Sequence, residues 1–438
     1  MNGFPPNLQW RPTNAPVVSN RTDDIWFIDP DTGWAVNSNG HILMTADGGR
    51  TWTRQFDSTA YLRCVGFANR QIGWVGATDE RQRLYHTSNG GQTWALVPNL
   101  PELAPSFVCG MSVVNELVVY VSGTNDPDFP PRMMKTTDGG HAWQAWSMAE
   151  HASLLVDTFF TSPDRGWVVG GKASVPNPTR EDVKPVVLFT EDGGRTWVNR
   201  VANLQAEFPF GEWGWKIQFL NDRVGFVSLE NFSAGAILKT TDGGLTWTRK
   251  LVNDPQGNAN LEGIGFIDEN HGWVGGWGNA NFTGGFSSVS SDGGDHWQNA
   301  NLIGRFLNRF RFFGNPVTVG YASGRTVHKY SAEPVGPPAM ATFTTARLLD
   351  SSEPQDCVDT AEIVFTIPAG AKHAAVVIWS RFGQRVRTLL DTQDPPAGQQ
   401  RLEWDFTSDR GQRLPGAEFI YRVTIDDAAE SRMIRRQR

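Results

Sequence analysis

Three carboxylates, Asp24, Asp157 and Glu262, and the cations Arg63, Lys216, Arg309 and Arg311 occupy corresponding places along the chain. The first five of these lie three or four residues before a Phe that recurs through the sequence. Two carboxylates flanking one bond are the set needed for glycoside hydrolysis. Opposed cations and anions also make an oriented polar site for a peptide or small ligand. A ring of mixed charge is equally the mark of a self-neutralised, water-filled channel. Aromatic and Pro-rich stretches accompany these positions. They are Asp126–Arg132, Phe208–Trp215 and Trp277–Phe282, with an insertion at Lys172–Lys184. Trp213, Trp215 and Trp277 on exposed loops would offer stacking surfaces for recognition, or would fold down as loop cores. No HExxH, P-loop or GxSxG motif occurs. The histidines lack ligand spacing, and the three cysteines, Cys64, Cys109 and Cys357, make neither a disulfide framework nor a metal motif. No metal and no cofactor is expected.

An eight-residue box that occurs six times must position these groups. It reads TADGGRTW, TSNGGQTW, TTDGGHAW, TEDGGRTW, TTDGGLTW and SSDGGDHW, centred on Asp47, Asn89, Asp138, Asp192, Asp242 and Asp292. The steps are 42, 49, 54, 50 and 50 residues, a period that points to a propeller or solenoid. The short Asp or Asn closes a turn through backbone N–H groups. The paired glycines supply positive φ for a hairpin. A structural role is therefore sufficient for all six. Gly33-Trp34, Gly73-Trp74, Gly166-Trp167, Gly225-Phe226 and Gly272-Trp273 precede boxes, and Phe27, Phe67, Phe160, Phe219 and Phe266 lie six residues before those glycines. Each unit then reads as four short antiparallel strands, the pattern of a propeller blade.

This pattern resembles the Asp-box (BNR) repeat, S/T-x-D-G-G-x-T-W, and within it the propellers related to photosystem II assembly factors. Sialidases, xyloglucan-cleaving glycosidases and sortilin-type receptors carry the same box. The F/Y-R-I-P motif of sialidases is absent. The resemblance implies a fold rather than a chemistry.

Phe306–Ser331 offers three strands without a box, and residues 7–13 can supply a fourth, closing the ring and removing its open edge. The expected fold is all-β: a seven-bladed Asp-box β-propeller over residues 1–333, a Pro-rich linker at 334–340, and a small Ig-like β-sandwich over 341–438. The last part resembles the Ig-like domain of the hook-capping protein FlgD, through Val377-Ile378, Gly383–Leu389, Ala397-Gly398, Trp404-Asp405, Asp409–Gly411 and Phe419–Arg422. Phe406 and Pro415–Glu418 depart from that pattern.

The net charge of −7 gives no basic excess for general nucleic-acid binding. No apolar run is long enough to span a membrane. The N-terminus lacks the charged and apolar regions of a signal peptide, so the chain is expected to be cytoplasmic, exported without a leader, or shorn of one. The function expected first is a non-enzymatic scaffold that binds a protein or peptide at the channel mouth, on the face opposite the boxes. The alternatives are a carbohydrate-binding or glycoside-hydrolase propeller, and a structural subunit of an extracellular appendage or surface layer.

Overall fold

The computed structural model describes residues 4–18, 21–279, 287–300, 303, 305–336, 355–357, 360–380, 385–414, 418–426 and 428–436. Most of the expected linker, the start of the C-terminal region, and Asn281-Phe282 lie outside the described residues.

The recurring Phe, Gly and Trp explain how one unit joins the next. Each Phe ring lies across the Gly of its own hairpin. A Cβ at Gly33 would meet the Phe27 ring at 2.3 Å, and the same contact recurs at Gly73, Gly166, Gly225 and Gly272. The ring then stacks on an aromatic of the preceding unit: Trp34 on Phe67 at 3.5 Å, Tyr120 on Phe160 at 3.5 Å, Phe226 on Phe266 at 3.7 Å, and Tyr321 on Phe27 at 3.7 Å. The box Trp meets the same Phe edge-on, as in Trp52–Phe27 and Trp94–Phe67. The edge contacts within units are a favoured aromatic geometry, while the stacks between units overlap the rings closely, with centroids 3.5–3.7 Å apart.

The boxes close their turns through side chains. Thr51 donates its N–H to Asp47 Oδ1 at 2.8 Å and its hydroxyl to Oδ2 at 2.6 Å, while Gly49 N–H donates to Thr45 Oγ1 at 2.9 Å. The backbone bond recurs at Asn89, Asp138, Asp192, Asp242 and Asp292, at 2.9–3.0 Å. Gly48 and Gly49 have φ of 68° and 87°, the left-handed region that glycine enters without strain.

Seven four-stranded antiparallel sheets form among the described residues, giving a β-propeller. Their inner strands are Thr22–Phe27, Leu62–Phe67, Gly110–Val113, Leu154–Phe160, Glu212–Phe219, Asn258–Phe266 and Phe310–Phe313. Each inner strand touches the next, and Phe310–Phe313 returns to Thr22–Phe27. The outer strand of the last sheet comes from the N-terminus: Gln9–Pro12 pairs with Val327–Ser331, Gln9 opposite Ser331 and Pro12 opposite His328. Strand direction puts the box turns and the turns after the inner strands on one face, the box side. The links between sheets lie on the other, the connection side.

The C-terminal region has a five-stranded sheet, in the order Gln355–Cys357, Ala428–Arg436, Glu418–Ile425, His373–Ser380 and Arg385–Gln393, and a two-stranded pair, Ala361–Ile367 with Gly398–Trp404. Ile363, Phe365, Val376, Ile378, Trp404, Tyr421 and Val423 share one core between them. No helix among the described residues is long and apolar enough to cross a membrane.

Candidate functional site

The sequence-identified charges do converge, but inside the ring rather than at an open mouth. A β-bulge interrupts the inner strand at Thr22/Asp24, Leu62/Cys64, Leu155/Asp157, Gly214/Ile217 and Leu261/Gly263. A bulge adds one residue and re-aims its neighbours. Asp23, Arg63, Lys216 and Glu262 sit within these irregularities, and Asp24 and Asp157 border them.

Two clusters result. In the first, Asp23 Oδ1 accepts from Arg21 Nε at 2.7 Å, Arg63 Nη1 at 2.9 Å and Tyr61 Oη at 3.3 Å. Arg21 Nη1 also binds Glu262 Oε2. In the second, Arg309 grips Asp157 with both Nη atoms, at 2.9 and 2.8 Å, and donates from Nε to Asp24 at 2.9 Å. Backbone N–H groups complete both acceptors: Ile217 donates to Asp157 at 3.2 Å, and Ile25 and Val65 donate to Asp24 at 2.9 and 3.2 Å. The Lys216 ammonium lies 4.0 Å from Asp157 with no hydrogen-bond partner among the described residues. Asn308 braces the first cluster, donating to Asp23 O at 2.6 Å and accepting from Trp215 Nε1 at 2.9 Å.

These groups are buried, so their charge states depend on their partners. Burial pushes the Asp157 carboxyl up, but Arg309 and Lys216 more than offset it and hold it below the usual carboxylate range. Burial drives Asp23 up to about 7, with Arg21 pulling the other way. Burial also lowers Lys216, helped by the Arg309 charge. A general acid for glycoside cleavage needs a raised pKa. Asp157 has the opposite tuning.

The tryptophans expected on exposed loops are not there. Trp213 and Trp215 lie in the inner strand Glu212–Phe219 and Trp277 in Gly272–Asn279, all fully buried. Trp215 carries the Arg63 guanidinium over its ring at 4.9 Å, and Trp277 carries Arg21 at 5.0 Å. They are walls for desolvated cations, not open platforms. The neighbouring stretches fold down as well. Arg180 of the insertion binds Asp126 at 2.8 Å, and Phe129 packs on Phe107. Phe210 remains exposed, beneath the Lys184 ammonium.

Arg311 differs from its neighbours. It is half-buried, lies over Trp26 at 4.3 Å, and donates to the Ile25 carbonyl. With Arg309 it lines a cavity of about 740 Å³ that also borders Gln218, Asn221, Arg223, Asp268, Glu269 and Phe312. Leu220–Val224, Ile267–Glu269 and Gly314–Val317 are turns after inner strands, so this cavity lies on the box side. The sequence reading missed Arg21, Tyr61 and Asn308. Arg21, two residues before Asp23, was the available signal. Among the described residues no cluster of His, Cys, Asp or Glu could hold a metal ion.

On the connection side the C-terminal sheet covers the ring. Tyr61, Trp277 and Phe306 pack with Val377, Trp379, Ile420 and Met433. Ser431 Oγ donates to Asn39 Oδ1 at 2.8 Å, Asn39 Nδ2 donates to Ala429 O at 3.1 Å, and Arg422 Nη1 to Ser58 O at 3.4 Å. This corrects the expectation of an open connection-side mouth: the strands of the C-terminal sheet present apolar residues on both faces, and the second face is buried here.

Residues 5–145 match the family described as Photosynthesis system II assembly factor YCF48. The photosystem II assembly lipoprotein Ycf48 of Synechococcus sp. (strain CC9902) is 25% identical over 314 residues, covering 66% of this chain and 78% of that protein. The chloroplastic stability/assembly factor HCF136 of Oryza sativa subsp. japonica is 25% identical over 321 residues, covering 57% and 76%. A solved structure of YCF48 bound to D1 peptide superposes with a TM-score of 0.53 at 20% identity, covering 74% of this chain and 97% of that one. These relatives are named as assembly factors, not enzymes. The propeller of this chain is therefore similar in sequence to the YCF48 and HCF136 photosystem II assembly factors, and in fold to YCF48.

Proposed function

We propose that this chain is a non-enzymatic scaffold that binds a protein or peptide partner. In this reading the seven sheets are the blades of one propeller, residues 1–333, followed by a linker at 334–340 and an Ig-like module over 341–438. The observation that carries the reading is the commitment of every candidate catalytic carboxylate. Asp24 and Asp157 are held by Arg309 and strand N–H groups, and Glu262 by Arg21. Among the described residues a ligand is offered a box-side cavity with Arg311, Arg223, Gln218 and Asn221 at its wall. The assembly-factor relatives, and YCF48 with its D1 peptide, support a peptide as the partner class. The carbohydrate reading has less support, because Trp213, Trp215 and Trp277 are buried.

Lys216 and Arg309 are unsuitable for a charge-reversal test because they hold the interior together. Arg311 suits it. Twelve-residue peptides displayed on phage would be selected on the full chain. Binding that weakens at least tenfold in Arg311→Glu supports the assignment. Selected peptides indifferent to that change, or glycan cleavage lost in Asp157→Asn, would overturn it.

A further inference from the structure

The five-stranded C-terminal sheet is apolar on both faces. Along His373–Ser380, Ala374, Val376 and Ile378 enter the module's own core, while Val377 and Trp379 point the other way. Along Glu418–Ile425, Phe419, Tyr421, Val423 and Ile425 turn inward, and Ile420 and Arg422 turn outward. Ile434 and Met433 divide in the same manner. Side chains alternate across a strand, so a one-sided sheet would carry polar residues at the outward places. Here Val377, Trp379, Ile420 and Met433 hold four of those places and pack on the propeller, while Arg422 and Ser431 at two others are buried and bond to Ser58 and Asn39.

The covered patch sits over the channel. Tyr61 contacts Trp379, with ring centroids 6.5 Å apart, and its hydroxyl reaches into the Arg21–Asp23 cluster. Trp277 joins the same patch while its ring carries Arg21. Arg21 Nη2 and Arg63 Nε and Nη2 have no hydrogen-bond partner among the described residues, yet both side chains are fully closed from solvent.

We propose that the C-terminal module is an intramolecular plug on the connection-side mouth, which makes the channel single-ended and directs a partner to the box side. The plug stands on the contacts above. The direction of the partner rests on the binding reading already proposed.

Hydrogen exchange on the full chain tests the plug without any ligand. The plug predicts protection of residues 37–41 and 58–62 in the native chain. Ile420→Glu should speed their exchange at least tenfold while 361–367 and 398–404, in the module's core, stay unchanged. Phe306→Ser, placed on the propeller, should speed 37–41 and 58–62 in the same way and does not depend on the module tolerating a charge. Unprotected 37–41 and 58–62 in the native chain, or indifference to both variants, would overturn the plug. The phage-selected peptide reads the second half. Its affinity should hold within twofold in Ile420→Glu; a tenfold loss would place its site at the connection side and overturn the single-ended channel. Segments protected in the native chain and sped by both variants, with no peptide selected, would support the plug and strike only the binding reading.

Discussion

Replacing Arg309 with Met tests whether the converging charges are a buried framework. Arg309 is the shared partner of Asp24 and Asp157, and all three side chains are at most 9% exposed. Removing the cation leaves two carboxylates in the interior with only backbone N–H groups and the Lys216 ammonium, 4.0 Å from Asp157. Breaking a buried pair in this way costs about 3–5 kcal/mol, a large share of the roughly 5–15 kcal/mol that holds a domain folded. Asp157→Asn in the Arg309→Met background should recover about 2 kcal/mol, because contacting residues couple. Arg311→Met is the control. It removes a cation over Trp26, and such an interaction is worth about 0.5–1 kcal/mol. The assay is urea unfolding followed by Trp fluorescence, read as midpoints because a chain with a second module need not unfold in one step. If Arg309→Met cost less than about 1 kcal/mol, and no more than Arg311→Met, the interior network would be solvated and the reasoning wrong.

Asp47→Asn should be nearly silent, since Asn89 makes the same turn with its Oδ1 accepting from Thr93 N–H at 3.0 Å; Asp47→Ala should lower stability by about 1 kcal/mol, measured by urea midpoint. His328 is buried and its pKa is pulled down to about 4. The folded state keeps it neutral while the unfolded chain takes up a proton near 6.5, so its contribution is complete above about pH 6.5 and lost as pH falls toward 4. His328→Gln should therefore flatten the fall in stability with acid by about 1.4 kcal/mol per pH unit in that window. Burial raises the Cys109 thiol to about 12 and holds the Cys64 thiol well above its ordinary value. Both should resist thiol reagents until the chain unfolds, which mass mapping of labelled peptides would show.

The box and the Phe–Gly–Trp spacing were readable because each mark has a local cause: a positive φ, a ring lying where a Cβ would be, or a stack on the next unit. The convergence of Asp24, Asp157, Glu262 and the cations was readable from their shared offset to the Phe. Their burial was not. A bulge leaves no compositional trace, so a strict two-residue period could not say that these side chains turn into a closed interior. Trp213 and Trp215 fall in the aromatic, Pro-containing stretch Phe208–Trp215, which reads as a loop, yet the strand begins at Glu212. The plug did have a signal. Ala374–Trp379 is unbroken apolar sequence, which suits a strand covered on both faces; treating it as one face of a small sandwich concealed the second partner.

The central claim, a partner held at the box-side opening, is tested most directly by photo-crosslinking the phage-selected peptide. One chain would carry a photoreactive residue in place of Glu269, which lines the cavity. A second would carry it in place of Thr59, beside Ser58 on the plugged side. Crosslinks from position 269 and none from 59 are predicted. Crosslinks from 59 alone would contradict the account and place recognition at the C-terminal module.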